Sequence, residues 1–388
     1  MKNFMWHIPT KFVFGRGAQL EAGRLCAAYG KKVLIHYGGG SAERSGLLGL
    51  IRQTLEDEGL SYVELGGAAP NPRLSLVYEG IELARRERVD VVLAVGGGSA
   101  MDSAKAIALG MPYDGDVWDF YCAKAVPCAI TPMGVVVTLP ASGSESSNSS
   151  VITNDDGMYK RGVNTELQRP LFAMLNPELT YTLPAYQTAC GAVDMMAHIM
   201  ERYFTNEPDV ELTDRLCEAA LQTIIHNAPV AIARPDDYAS RAELMWAGNI
   251  AHNDTLGVGR VGDWASHKIE HELSALYDVA HGAGLAVIFP AWMRYVYRHD
   301  LERFRRFAVH VWGCPDTGAS GELALMGIRR TVDFFRSIGM PVSLRELGAR
   351  EADIPAMAKK VARNPDNTVG QFVKFDTPQI EEIYRLAL

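Results

Sequence analysis

A chain of 388 residues exceeds one ordinary single-core domain, and the usual span of roughly 100–200 residues per domain points to two or three. With 48% hydrophobic and 22% charged residues the composition is that of a soluble globular protein, which excludes wholesale disorder, and no stretch reaches the ~18 apolar residues of a membrane span. A formal net charge of −8 argues against a nucleic acid held by broad phosphate neutralisation, while a small anion held locally stays compatible with it.

The N-terminal stretch MKNFMWHIPTKFVFG has no apolar core between a basic region and a small-residue cleavage site, so the expected location is cytoplasmic. Strand and helix then alternate. KKVLIHY (31–37) is a β-branched run ending in GGGS (38–41), and RSGLLGLIRQTLEDEG (44–59) has helical spacing of its apolar residues. SYVEL (61–65) is extended and SLVYEGIELARRE (75–87) returns to the helical period. VDVVLAVGGGS (89–99) is an apolar strand running into glycines, and AMDSAKAIAL (100–109) opens the next helix. Strand, glycine turn and helix in repetition predict a parallel sheet wrapped by helices on both faces. VVVTLPASGSESSNSSVITN (135–154) and PLFAML (170–175) predict further strands, with NDDG (154–157) closing a hairpin, so the sheet is expected to grow antiparallel there. From about Pro184 the pattern changes to long helical segments, AYQTACGAVDMMAHIMERYF, VELTDRLCEAALQTIIHNAPVAIA and ASRAELMWAGNIAHN. The expected division is an α/β, dinucleotide-binding domain over 1–180 and a helical, metal-binding domain over 181–388.

AVGGGSAMDSAK (94–105) ends a buried strand in three glycines and starts a helix, so backbone N–H groups and the helix dipole face whatever occupies the turn. Glycine lets a pyrophosphate approach the backbone closely, although a plain tight turn gives the same pattern. YGGGSAER (37–44), with Gly38, Gly39 and Ser41, repeats the device, and two such turns in one parallel sheet favour a dinucleotide. TLPASGSESSNSS (138–150) offers Thr138, Ser142, Ser147 and Ser149, followed by Lys160. Such a run either hydrogen-bonds a ribose, phosphate or carboxamide or is simply a polar loop.

In the second half, VDMMAH places Asp194 and His198 at i, i+4, on one face of a helix, and SHKIEH does the same for His267 and His271. His281 follows just before GAG. A carboxylate and several imidazoles from separate helices form an N/O set suited to zinc or ferrous iron, whereas each pair alone also fits a solvated helix face. The other histidines lack paired spacing and read as structural or surface residues. The six cysteines, Cys26, Cys122, Cys128, Cys190, Cys217 and Cys314, form no CxxC pair and read as reduced, mostly buried thiols. Cys190 lies one turn before Asp194, where it either lines the same site or is a small buried hydrophobe.

VGGGSAMDSAK, TLPASGSESS, NPELTYTLP, GAVDMMAHIME and SHKIEHELSALYDVAHGAGLAV, in this order and at these separations, resemble the iron-containing (group III) alcohol dehydrogenases, and within them the YqhD-like branch of NADPH-dependent aldehyde reductases and butanol dehydrogenases. The resemblance covers essentially the whole chain. It implies a Rossmann-like N-terminal α/β domain plus an all-α C-terminal domain, the architecture shared with dehydroquinate synthase, in a homodimer. It places Asp194, His198, His267 and His281 on four metal-ligand positions and His271 on a position facing nicotinamide and substrate. Gly97, Gly98 and Ser99, with Asp102, fall on the pyrophosphate turn; Thr138, Leu139, Ser142 and Lys160 fall on nicotinamide and ribose contacts, and Leu179 on an adenine-side or ribose-side contact. The commonest family loop reads T-T-A-G-T-G-S-E, so TLPASGSE departs from it over positions 139–142, with Leu139 and Pro140 in place of small residues and Ser142 in place of threonine. Members preferring NAD often carry an aspartate after the strand that VLIHY matches. GGGSAER has none there, and Ser41 with Arg44 favours NADP(H).

The resemblance thus implies hydride transfer between nicotinamide and a small aldehyde or alcohol, assisted by one divalent metal, Fe²⁺ or Zn²⁺, with His271 passing a proton. Two other readings are a carbon–oxygen lyase of the dehydroquinate synthase kind, which needs a basic pocket for a phosphorylated substrate, and a non-enzymatic metal or nucleotide binding protein. Neither a nucleic acid nor a membrane is an expected partner.

Overall fold

The computed structural model describes all 388 residues, which divide into two compact units, His7–Thr182 and Met1–Trp6 with Leu183–Leu388. The first unit runs through β1 (Lys11–Phe14), α1 (Ala22–Ala27), β2 (Lys32–Tyr37), α2 (Ser41–Arg44), α3 (Leu47–Asp57), β3 (Ser61–Leu65), α4 (Leu74–Glu87), β4 (Val91–Gly96) and α5 (Gly98–Gly110). It continues with α6 (Trp118–Tyr121), β5 (Met133–Val137), β6 (Ser149–Asn154), β7 (Tyr159–Asn164) and β8 (Phe172–Leu175). Six strands form one sheet in the order β1-β8-β5-β4-β2-β3, every neighbouring pair parallel. Every residue of β4 is buried, as a parallel strand covered on both faces requires. Gly134 in β5 pairs in register with Phe172 in β8, and a Cβ there would fall closer than 3.0 Å to the Phe172 ring. That glycine makes the space the ring fills.

The sheet does not grow antiparallel beyond residue 135. β5 and β8 join the main sheet in parallel, while β6 and β7 form a separate two-stranded antiparallel hairpin with Asn154 opposite Tyr159. The NDDG turn closes that hairpin, with Asp156 N–H donating to Asn154 Oδ1 and Gly157 at φ 78. The apolar runs specified strands, but the separation of the hairpin from the main sheet is set by tertiary pairing that local alternation does not encode.

The second unit is helical: α7 (Ala185–Tyr203), α8 (Glu211–Ala233), α9 (Tyr238–His252), α10 (Ala265–Tyr277), α11 (His281–Val296), α12 (Leu301–His310), α13 (Ser320–Ser337), α14 (Ile354–Lys360) and α15 (Thr377–Leu386). α7 is buried from Thr188 to Tyr203 and α11 from Gly282 to Met293, so these two helices form the centre around which the others pack. Met1–Trp6 belongs to this unit, where Lys2 N–H donates to the Gly259 carbonyl at 2.9 Å. No helix is long and apolar enough to cross a membrane.

Candidate functional site

Asp194 and His198 project one turn apart from buried α7, with Asp194 Oδ1 3.7 Å from His198 Nε2. α10 supplies His267, whose ring stacks on that of His198 with centroids 4.8 Å apart. The chain leaves α10 through Asp278 in the left-handed region (φ 52) and starts α11 at His281, whose Nε2 lies 3.8 Å from the same Asp194 oxygen. One ligand atom from each of Asp194, His267 and His281 lies within 4.8 Å of the other two. Gly282 permits this approach: a Cβ there would come closer than 3.0 Å to the Cys190 backbone, so only glycine lets the first turn of α11 rest on α7.

Asp194, His198 and His267 are each 5% exposed, whereas His281 and His271 are half-buried. Burial, together with His252, His267 and Arg202 nearby, pushes the His198 imidazole well below its ordinary value, leaving it neutral. His267 Nε2 is enclosed and has no hydrogen-bond partner, although Nδ1 of the same ring sits 2.8 Å from Glu201 Oε1. A buried carboxylate is costly without a positive partner, and an enclosed imidazole nitrogen without a hydrogen-bond partner has a lone pair or proton that nothing in the chain satisfies. The donor set fits a borderline divalent ion such as Fe²⁺ or Zn²⁺. The His271 ring lies 5.5 Å from that of His281. Cys190 is not part of the set: its Sγ meets Met340 Sδ at 3.8 Å and burial pushes its thiol up to about 11, so it carries its proton at neutral pH.

Four residues around these side chains were not picked out by sequence spacing. Glu201 contacts His267, and Glu270 contacts His281 through Nδ1. His252, read from sequence as structural or surface, has its ring 4.1 Å from that of His198. Trp264, at φ 62 before α10, sits 5.2 Å from the His267 ring with the Arg202 guanidinium 4.8 Å from its own. A signal for the two glutamates was present as the repeated spacing H-x-x-E, His198 to Glu201 and His267 to Glu270. Beside them Asp263 accepts the Gln371 and Phe372 N–H groups, and burial, then the Glu201 charge, raises its carboxyl above the usual carboxylate range.

In the α/β unit, β2 has β3 on one side and β4 on the other, so the strand order reverses between β2 and β4. Ligands of such sheets collect outside the carboxyl ends of the strands at that point. Both glycine turns are there: Gly38, Gly39 and Ser41 follow β2, and Gly97, Gly98 and Ser99 follow β4. A Cβ at Gly96 would lie 4.0 Å from the Gly38 nitrogen. Gly97 caps the thirteen-residue α5, leaving first-turn N–H groups at its start. The 138–144 loop closes over this turn, since a Cβ on Gly97 would meet Leu139 at 3.1 Å and one on Gly98 would meet Ser142 Oγ at 2.6 Å. Thr138 N–H donates to the Gly96 carbonyl.

Asp102 takes part internally, accepting from Ser144 Oγ at 2.6 Å and from Val151 N–H at 2.9 Å. Ser147 accepts from the buried Lys105 ammonium at 3.1 Å, which also donates to the Ser147 and Ser149 carbonyls. Burial pushes Lys105 down to about 8 against the pull of Asp102 and Glu145. Lys160 is buried and donates to Oδ1 of Asn71, a residue at φ 55 that sequence patterning did not pick out. Leu179 lies in a 3₁₀ turn after β8 and packs on the β2–β4 core.

The α/β unit matches the family model described as iron-containing alcohol dehydrogenase over residues 9–177, and the helical unit matches the model for the C-terminal part of that family over residues 188–388. NADH-dependent butanol dehydrogenase A of Clostridium acetobutylicum is 40% identical over 386 residues, with 99% of each chain covered. The NADPH-dependent aldehyde reductase YqhD of Escherichia coli is 36% identical over 378 residues, with 96% of each covered. The crystal structure of NADH-dependent butanol dehydrogenase A from Thermotoga maritima superposes with a TM-score of 0.96 at 41% identity, covering 100% of this chain and 99% of that one. Two matching family models that together span nearly the whole chain, and relatives of this identity along its full length, establish that the chain belongs to the iron-containing alcohol dehydrogenase family and is an alcohol dehydrogenase or aldehyde reductase.

Proposed function

We propose that the chain is a metal-dependent, NADP(H)-linked oxidoreductase that interconverts short-chain aldehydes and primary alcohols by hydride transfer. The observation carrying this reading is the convergence of Asp194, His198, His267 and His281 from three helices beside an enclosed, partnerless His267 Nε2. These four side chains would hold a divalent cation, which when bound would supply Lewis acidity toward the substrate oxygen, and a bound nicotinamide would supply the hydride chemistry. The backbone of Gly97, Gly98 and Ser99 holds the pyrophosphate, with Thr138, Leu139, Ser142 and Lys160 toward the nicotinamide ribose. His271, half-buried and next to His281, gives or takes the proton at its ring. Consumption of NADPH with butanal is expected, abolished by a chelator and restored by Fe²⁺ or Zn²⁺; undiminished turnover in metal-free protein would sink the proposal. Replacing His271 with alanine is expected to leave metal content intact and lower turnover by about 10²-fold, as loss of a general acid–base does. Metal loss in that variant would instead make His271 a ligand.

The preference for NADP(H) rests on the turn after β2. No acidic residue occupies positions 38–42, and the Arg44 guanidinium lies over Gly40, where a Cβ would meet its Nη1 at 2.6 Å. Glu43, the first carboxylate in the chain after this turn, is held by Arg52 at 2.7 and 3.0 Å, which lowers its repulsion of a phosphate. A 2′-phosphate therefore meets Ser41 and a cation. The specificity constant with NADPH is expected to exceed that with NADH, and Arg44→Ala to cut the ratio by about tenfold. Equal or better use of NADH by the unaltered enzyme defeats the cofactor preference alone.

A further inference from the structure

Two fully buried carboxylates stand behind two of the imidazoles, each reaching from the preceding helix of the site. Glu201 on α7 receives His267 of α10: Oε1 lies 2.8 Å from the ring Nδ1 and 3.1 Å from the His267 backbone nitrogen, while Oε2 accepts Trp264 N–H. Glu270 on α10 receives His281 of α11 in the same way: Oε2 pairs with the ring Nδ1, and Oε1 accepts from Ser274 Oγ. The second pair depends on a glycine, because a Cβ on Gly284 would fall closer than 3.0 Å to the Glu270 carboxylate. His198 differs, since its Nδ1 is buried without a hydrogen-bond partner.

A carboxylate at Nδ1 keeps the proton on that nitrogen and leaves the Nε2 lone pair for a cation, fixes the ring plane, and makes the imidazole a stronger donor. We propose that Glu201 and Glu270 are positioning residues that fix His267 and His281 as Nε2 ligands and thereby set the affinity of the site for a divalent cation. This deepens the metal assignment above and rests on it. The series runs from α7 to α10 to α11, so two of the three imidazoles are held from behind at Nδ1 and the third, His198, has no carboxylate there.

The test is titration of metal-free protein with Zn²⁺ in competition with a chromophoric chelator, for the unaltered chain and for Glu201→Gln, Glu270→Gln and Gly284→Ala. Loss of such a partner typically weakens metal binding by about 10–100-fold, which is the expected fall for each glutamine variant. Gly284→Ala displaces the Glu270 carboxylate while keeping its charge, and is expected to weaken binding in the same direction; it and Glu270→Gln carry the test if the Glu201 variant does not fold. Co²⁺ loaded into the glutamine variants is expected to show a shifted ligand-field spectrum, because the strength and orientation of the imidazole donor change, while the unfolding midpoint of the metal-free form stays close to that of the unaltered chain. Unchanged Zn²⁺ affinity and Co²⁺ spectra in folded variants overturn the proposal, as does a loss of affinity that only tracks a lowered unfolding midpoint of the metal-free form. If the unaltered protein takes up no Zn²⁺, the metal assignment falls first and this proposal with it.

Discussion

Replacing His267 with alanine is expected to empty the metal site and to cut aldehyde reduction by about 10³-fold or more. The ring is enclosed, stacks on His198 and faces His281, so no solvent-exposed group stands ready to replace it. A Lewis acid at the substrate oxygen is worth several kcal/mol of barrier, and each ~1.4 kcal/mol is a factor of ten in rate. The same change takes the ring partner from Glu201, which keeps only its backbone donors at Trp264 and residue 267. Elemental analysis of protein purified without chelators, paired with turnover, checks the expectation. A variant that keeps a full complement of metal removes His267 from the ligand set.

Gly282→Ala is expected to damage both stability and metal binding. An alanine inside a helix normally gains up to about 1 kcal/mol over glycine. Here the added carbon would sit closer than 3.0 Å to the carbonyl, carbonyl carbon and Cα of Cys190, all backbone atoms that no rotamer change can move aside. Overpacking typically costs about 1–3 kcal/mol, and contact with a rigid helix backbone belongs at the upper end, so the clash outweighs the propensity gain. Relief requires α11 to shift off α7, carrying His281 away from Asp194. A lower midpoint in denaturant unfolding of the metal-free protein, together with weaker Zn²⁺ binding, is the expected pair of results. Unchanged stability would contradict the close helix contact.

The alternation of strand, glycine turn and helix was legible because each local signal agreed with the next: β-branched runs became β2 and β4, and the apolar period became α3, α4 and α5. β1 escaped notice because KFVF is a four-residue edge strand with little local pattern, and the parallel placement of β5 and β8 depends on partners far away in sequence. At the site, i, i+4 spacing made Asp194, His198 and His267 stand out. The spacing that joins Glu201 to His198 and Glu270 to His267 also lay in the sequence, yet it points to the wrong imidazoles. Each glutamate reaches across to the next helix, which only the packed unit reveals. Lys105 and Asn71 were missed for the same reason, since their partners at Ser147, Ser149 and Lys160 lie 42 to 89 positions away.

Trp264 does more than fill space beside the histidines. Its indole lies 5.2 Å from the ring of His267, 5.5 Å from that of His252 and 6.0 Å from that of His198, with the Arg202 cation against it. Emission from an indole responds to charges and to open-shell ions over such short distances. The chain therefore carries, in one of its six tryptophans, an optical probe in the wall of the histidine cluster, and an open-shell ion such as Fe²⁺ held there is expected to quench it more than a closed-shell one such as Zn²⁺.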